Sequence, residues 1–210
     1  MECIRREVED DAMKKLYEAS MEGCVLTFNS LIQKDPLLLS KISLTTFSET
    51  PLHISALLGH LNFTKQLLTH KPKLASTLDS LKRSPLHLAS AEGHGEIVQV
   101  LLQENEDMCL VKDEDGRVPV HYAAMRGHID VIKLLFNAGK SSIFALLPDG
   151  ETVLHMCVQY NQLEALKLLV ELAGYENTEF LNSKEHVGGN SILHLAVTLK
   201  QIEVNFQSNK

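Results

Sequence analysis

Tryptophan is absent and aromatic residues supply only 5% of the 210 residues, so the interior cannot be built around large rings. Leu and Ala fill the apolar quota instead, as suits helices packed closely on helices. Cysteine is sparse: Cys3, Cys24, Cys109 and Cys157 are scattered, with neither the C-x-x-C spacing of a zinc site nor a disulfide framework. They read as reduced thiols inside a cell. Positive charge is in deficit, with 20 Lys and Arg against 27 Asp and Glu. That balance disfavours nucleic acid, because neutralising phosphates needs a basic face. No apolar run is long enough to span a bilayer. Met1 to Lys15 is charged throughout and has no signal-peptide core. A soluble, cytoplasmic chain is expected.

What is present is a repeat. One tetrapeptide returns as Thr50-Pro51-Leu52-His53, Ser84-Pro85-Leu86-His87, Val118-Pro119-Val120-His121, Thr152-Val153-Leu154-His155 and Ser191-Ile192-Leu193-His194. Three successive steps between the histidines are 34 residues, and the last, from His155 to His194, is 39. Two residues after each His stands a small side chain: Ser55, Ala89, Ala123, Cys157 and Ala196. Six residues after come Gly59, Gly93 and Gly127, then Asn161 and Lys200. Apolar pairs follow at Leu67-Leu68, Leu101-Leu102, Leu135-Phe136 and Leu169-Val170.

Each feature has a mechanical reason. Thr or Ser before Pro starts a helix, since the hydroxyl caps free N–H groups and Pro at the first position sacrifices none. The small residue admits a neighbouring helix. Gly in the left-handed conformation ends that first short helix, and Asn161 can do so at modest cost. The apolar pair belongs to a second, antiparallel helix packed on the first. Asp113-Glu114-Asp115-Gly116 and Pro148-Asp149-Gly150 are turn sequences expected to project as β-hairpin loops. A single helical pair cannot bury its own apolar face, so the repeats must stack.

The pattern resembles the ankyrin repeat, with its T-P-L-H-x-A signature and near-33-residue period. The implied fold is an all-α repeat solenoid of helix-turn-helix units joined by β-hairpin loops. Repeats are expected at about 13–46, 47–80, 81–114, 115–148 and 149–187, with an incomplete sixth at 188–204. Residues 1–12 form an N-terminal tail and 205–210 a divergent one. In the degenerate first repeat Tyr17 takes the His place, with Ala19, Gly23 and Leu31-Ile32 at the matching positions.

A narrower resemblance is to plant ankyrin proteins with a C-terminal membrane segment, the PGG-domain group. It rests on Lys34-Asp35-Pro36-Leu37-Leu38, on residues 115–128 from Asp115-Gly116-Arg117 to Arg126-Gly127-His128, and on 189–196, Gly189-Asn190-Ser191-Ile192-Leu193-His194-Leu195-Ala196. It implies stress or defence signalling at the cytoplasmic face of the plasma membrane, reached here through a partner. The membrane segment is missing, and Asn205 to Lys210 abandons the repeat. A truncated, spliced or cut form of a membrane-anchored protein, regulatory or without function, is therefore the alternative reading. Ile202, Val204 and Phe206 are candidates to fold back as a cap. A monomer is expected, with edge-to-edge pairing through the sixth repeat as the alternative.

No catalytic or metal-binding constellation emerges, and no cofactor is expected. Eight of the ten histidines are repeat positions, including His60, His94 and His128 directly after the helix-ending Gly. Gly139-Lys140-Ser141 lacks the first Gly of a phosphate loop, since position 134 is Leu. Asn62-Phe63-Thr64 matches a glycosylation triplet but falls on a predicted helix. Cys157 occupies the small-residue position, which packing explains. The chain is not expected to be an enzyme.

The resemblance implies a protein partner docking on the concave face, along the hairpin tips and the positions four and five after each His. Mapped onto this chain, the candidate partner-binding residues are Leu57, Leu58, Arg83, Glu92, Asp115, Arg117, Met125, Arg126, Glu151 and Tyr160. Tyr and Arg dominate binding hot spots, so Arg117, Met125, Arg126 and Tyr160 are the central expectation.

Overall fold

The computed structural model describes residues 2–44, 48–184, 186 and 188–199. The chain divides into two compact bodies, Met1–Met108 and Cys109–Lys210. Ile202, Val204 and Phe206, the expected cap, lie outside the described residues.

In the first body, inner helices α1 (Glu2–Glu22, 21 residues) and the short α3 (Pro51–Leu58) and α5 (Pro85–Glu92) alternate with outer helices α2 (Val25–Lys34), α4 (Leu61–His70) and α6 (Gly95–Glu104). Each inner helix packs on its own outer helix. Inner helices stack on inner ones and outer on outer, α1 on α3 on α5 and α2 on α4 on α6. The second body repeats the scheme with inner helices α7 (Pro119–Arg126), α9 (Val153–Gln159) and α12 (Ile192–Thr198). Its outer helices are α8 (Ile129–Ala138) and α10 (Leu163–Ala173), and a one-turn helix α11 (Thr178–Leu181) falls within the longer last step. The fold is the all-α repeat solenoid expected from the spacing.

The two helix types bury differently, and the sequence says why. An outer helix keeps one apolar stripe: Phe63, Thr64, Leu67 and Leu68 in α4, or Val131, Ile132 and Leu135 in α8. An inner helix lies between neighbours on several sides, so Pro51 through Ala56 are all buried. That crowding makes a small residue necessary two places after the His. Phe28 and Phe63, both fully buried, meet edge to face at 5.4 Å between the outer helices of the first body.

The tips turn back as expected but carry no ladder. Among the described residues there is no β-strand, only an isolated antiparallel bridge between Lys184 and Ser191. The tips at 79–83, 113–117 and 147–151 are tight turns closed by two backbone bonds, such as Asp113 N–H to the Arg117 carbonyl at 2.9 Å and Gly116 N–H to the Asp113 carbonyl at 3.1 Å. The next residues already enter the helix cap, so a longer hairpin has no room.

Glycine is demanded twice at the inner-helix ends. Gly23, Gly59, Gly93 and Gly127 all have positive φ, and Asn161 takes the same conformation at φ 55°. A Cβ on Gly59 would also stand 2.7 Å from Cε1 of His94, and one on Gly127 would stand 2.3 Å from Oε1 of Gln162. The tip has its own left-handed position, filled by Gly116 and Gly150 but by Lys82 in the first body, at φ 59°. Left-handed backbone costs a non-glycine residue on the order of 1–2 kcal/mol, partly offset by glycine's larger unfolded-state entropy. Lys82→Gly should therefore raise stability by about 0.5–1 kcal/mol, whereas Gly59→Ala should lower it by about 2 kcal/mol or more. Urea titration of both variants checks the opposite signs.

Candidate functional site

The geometry of the surface begins with the histidines. At the head of α3, the Thr50 N–H donates to Nδ1 of His53 at 3.2 Å, and the Thr50 hydroxyl lies 2.9 Å from the same nitrogen. A backbone N–H can only donate, so Nδ1 carries no proton. The proton sits on Nε2, which donates to the Arg83 carbonyl at 3.0 Å. Arg83 belongs to the tip of the next repeat, so one neutral imidazole completes its own helix cap and holds its neighbour. His121 likewise bridges the Val118 N–H and the Ala145 carbonyl, though both lie within 115–148, and His155 bridges Thr152 and the Asn190 carbonyl of the last repeat. Val118 has no hydroxyl, and the imidazole half of the cap persists without it. Tyr17, in the His place of the first repeat, donates its hydroxyl to the Glu49 carbonyl at 3.0 Å.

A second set of bonds runs in the opposite sense. Nε2 of His60 donates to the Met21 carbonyl at 2.8 Å, and Nε2 of His94 to the Leu57 carbonyl at 3.1 Å. In the last full repeat Gln162 stands in for the histidine and donates to the Met125 carbonyl at 3.3 Å. The accepting residue is always the one four places after the His or Tyr of the preceding repeat.

The tips are ordered by an aspartate that sequence reading passed over. Asp79 is buried, and its Oδ1 accepts the Leu81 and Arg83 N–H groups at 2.9 and 2.8 Å. Asp113, 34 residues on, accepts the Asp115 and Arg117 N–H groups at 3.0 and 2.8 Å. That shared spacing was the available signal. Leu147 breaks it in the third tip, where Asp149 instead accepts the Glu151 N–H at 3.1 Å. Asp113 also accepts the Tyr122 hydroxyl at 2.6 Å. Burial and this carboxylate push the Tyr122 phenol up to about 12.

Within the first body, Arg83 is tied to Asp79 at 2.8 Å and to Glu49 at 3.4 Å. Leu57 is half-buried, Leu58 is 47% exposed and Glu92 is half-buried. In the second body Arg117 is paired with Asp115, and Glu151 accepts from the Gln159 amide. Met125 is half-buried, Arg126 is exposed and Tyr160 is 47% exposed. The expected residues therefore form two groups, one on each body. Arg83, Asp115, Arg117 and Glu151 already hold partners within the chain.

The discounted chemistry has a structural reason in each case. Thr64 of the glycosylation triplet is buried and bonded to the Ser55 hydroxyl at 3.0 Å. Gly139 caps the end of α8. Burial pushes the Cys157 thiol up to about 12, which keeps it protonated and unreactive. Among the described residues no group of three His, Cys, Asp or Glu is placed to hold a metal ion. No described helix is long and apolar enough to cross a membrane.

The neutral histidines make stability sensitive to acid. Burial holds His121 down at about 4, with the Ala145 carbonyl acting against it, and burial lowers His53 too. The unfolded chain takes up a proton near pH 6.5 while the native chain resists until about 4. Stability is thus complete above pH 6.5 and falls as pH drops through that window, by roughly 3 kcal/mol for His121. Urea midpoints measured from pH 7.5 to 4 should show this loss, and His121→Gln should flatten it. An unchanged slope in that variant would exclude His121 as its source.

A family model described as Ankyrin repeats (3 copies) matches residues 16–111, 77–144 and 120–205. No curated protein matches the chain.

Proposed function

The chain belongs to the ankyrin-repeat family, and we propose that it is a protein-binding module whose partner docks along the tips and the ends of the inner helices. Ankyrin repeats generally serve as protein–protein interaction modules. One observation carries the reading for this chain. At the position four after the His, the scaffold uses only the backbone: the carbonyls of Met21, Leu57 and Met125 are held by the following repeat. The tip amides of Leu81, Arg83, Asp115, Arg117 and Glu151 are likewise fixed by aspartates. Side chains at these places are preorganised by their backbone, and those of Arg83, Asp115, Arg117 and Glu151 are further fixed by partners within the chain, the condition under which binding costs little ordering entropy.

On the second body the anchors are Tyr160, Met125 and Arg126, an aromatic, a flexible apolar and a cationic side chain. The Asp115–Arg117 pair stands at the tip beside them in sequence, and a partner must engage it as a pair or displace Asp115. On the first body Leu57, Leu58, Arg83 and Glu92 offer an apolar edge with a buttressed arginine. The resemblance to plant PGG-domain proteins, on the segments at 34–38, 115–128 and 189–196, supports a partner in stress or defence signalling at the cytoplasmic face of the plasma membrane.

Affinity capture from plant extract with the wild-type chain and an Arg126→Glu, Tyr160→Ala variant tests the assignment. The variant should lose the specific partner while its thermal melting midpoint moves little, because both side chains are exposed. Equal capture by the two proteins would remove these residues from the interface.

A further inference from the structure

The tips at 79–83 and 113–117 share an aspartate and an arginine in the same register, and use them differently. Asp79 and Arg83 stand eight and four residues before His87, and Asp113 and Arg117 hold the same places before His121. In the first tip, Nε and a terminal nitrogen of Arg83 both reach Oδ2 of Asp79 at 2.8 Å. That carboxylate side chain is 1% exposed, so the arginine is locked inward, with Glu49 as a second holder. In the second tip, Oδ2 of Asp113 accepts the Tyr122 hydroxyl at 2.6 Å, and the hydroxyl oxygen in turn meets the Arg117 guanidinium. Arg117 is carried outward onto Asp115, whose side chain is 65% exposed. The residue after the His makes the difference. Tyr122 in the second tip replaces Leu88 in the first, which is buried and has no polar side-chain atom, so that Asp79 is left to the arginine. Six residues before the His, Asp115 likewise replaces Leu81 and supplies the outward carboxylate.

We propose that Tyr122 is a positioning residue that makes Arg117 the anchor for an incoming carboxylate, with Asp115 holding the guanidinium until that carboxylate displaces it. The inference rests on the protein-binding reading above, in which the partner supplies the carboxylate. Withdrawing Arg83 from Asp79 would strand a buried charge, whereas the Arg117–Asp115 contact ends on a carboxylate already in water and exchanges at small cost. A guanidinium fork matches a planar carboxylate through two parallel N–H bonds. Asp115 is itself such a group, but it must reach Arg117 from two residues away along the same turn. An Asp or Glu side chain or a chain terminus presented by the partner makes the same contact with freer geometry. A phosphate dianion fits less well, because Glu114 and Asp115 are both exposed on this turn and repel two charges more than one.

Nitrogen-15 NMR of the arginine side chains in the full chain reads both halves of the proposal, with Arg117→Lys and Arg83→Lys identifying the two guanidinium signals. Rotation about the Nε–Cζ bond should be slow in Arg83 and faster in Arg117. Tyr122→Phe should slow Arg117 towards Arg83, because the guanidinium then falls back onto Asp113. A capped Ala-Glu-Ala peptide is the probe for the second half, with capped Ala-Lys-Ala as its counterpart. The Glu peptide should move the Arg117 signals and leave those of Arg83 in place. Asp115→Asn should strengthen that response by about threefold to tenfold, and Tyr122→Phe should weaken it by a similar factor. Arg117 rotation unchanged by Tyr122→Phe, or a Glu-peptide response unchanged by Asp115→Asn, overturns the proposal. A stronger response to the Lys peptide overturns it by making the acidic turn the recognised feature. Should Tyr122→Phe fail to fold, the Asp115→Asn titration decides alone, since that side chain is largely in water. Arg117 responding as described in a chain that captures no protein upholds the chemistry of this tip and fails the binding reading instead.

Discussion

A neutral imidazole with two assigned nitrogens governs this fold. Nδ1 takes the N–H that the start of an inner helix would otherwise leave unsatisfied, and Nε2 gives its proton to a carbonyl 24 to 35 residues further on, which for His53 and His155 belongs to the repeat that follows. Local and non-local structure are thereby tied through one ring. A protonated ring would turn Nδ1 towards another donor, and a lysine or an aspartate in its place would lose one of the two bonds. Only a group with a donor and an acceptor at opposite ends can serve, which explains why the residue returns with a fixed period. The degenerate case supports the point: Tyr17 keeps the outward donor, to Glu49, where the bond to the next repeat is the one that matters.

The same economy explains the glycines and leaves room for recognition. The ring of His94 lies where a side chain on Gly59 would be, so the reverse bonds that hold the inner-helix ends require both the left-handed conformation and the absence of a Cβ. At the tips the Asp79 and Asp113 carboxylates hold the backbone, and at the inner-helix ends the holding bonds fall on backbone carbonyls. The strongest pKa displacements fall on groups inside the scaffold, the buried His121 and Cys157 and the half-buried Tyr122.

Much of this was legible because the repeat prints it five times. The helix starts at 51, 85, 119, 153 and 192, the left-handed Asn161 and the Tyr17 substitution all follow from register alone. What escaped depends on contacts that no period displays. Asp79 and Asp113 resemble ordinary turn residues until their burial and paired N–H bonds are seen. The residue after the helix-ending glycine could be assigned to the repeat but not to a carbonyl 37 residues back, and Gln162 hides the equivalence further. Arg83 and Arg117 read from sequence as anchors, whereas in the fold they are partly spent on Asp79, Glu49 and Asp115. Turn composition suggested β-hairpins, but helix caps that start immediately beyond the tips at 79–83, 113–117 and 147–151 leave only turns there.

Nitrogen-15 NMR of the imidazole rings at neutral pH tests the governing interaction most directly. His53, His121 and His155 should each show a protonated Nε2 and an unprotonated Nδ1, with a hydrogen-bonded Nε2 proton slow to exchange with water. A protonated Nδ1, a charged ring or a rapidly exchanging Nε2 proton at these positions would contradict the account.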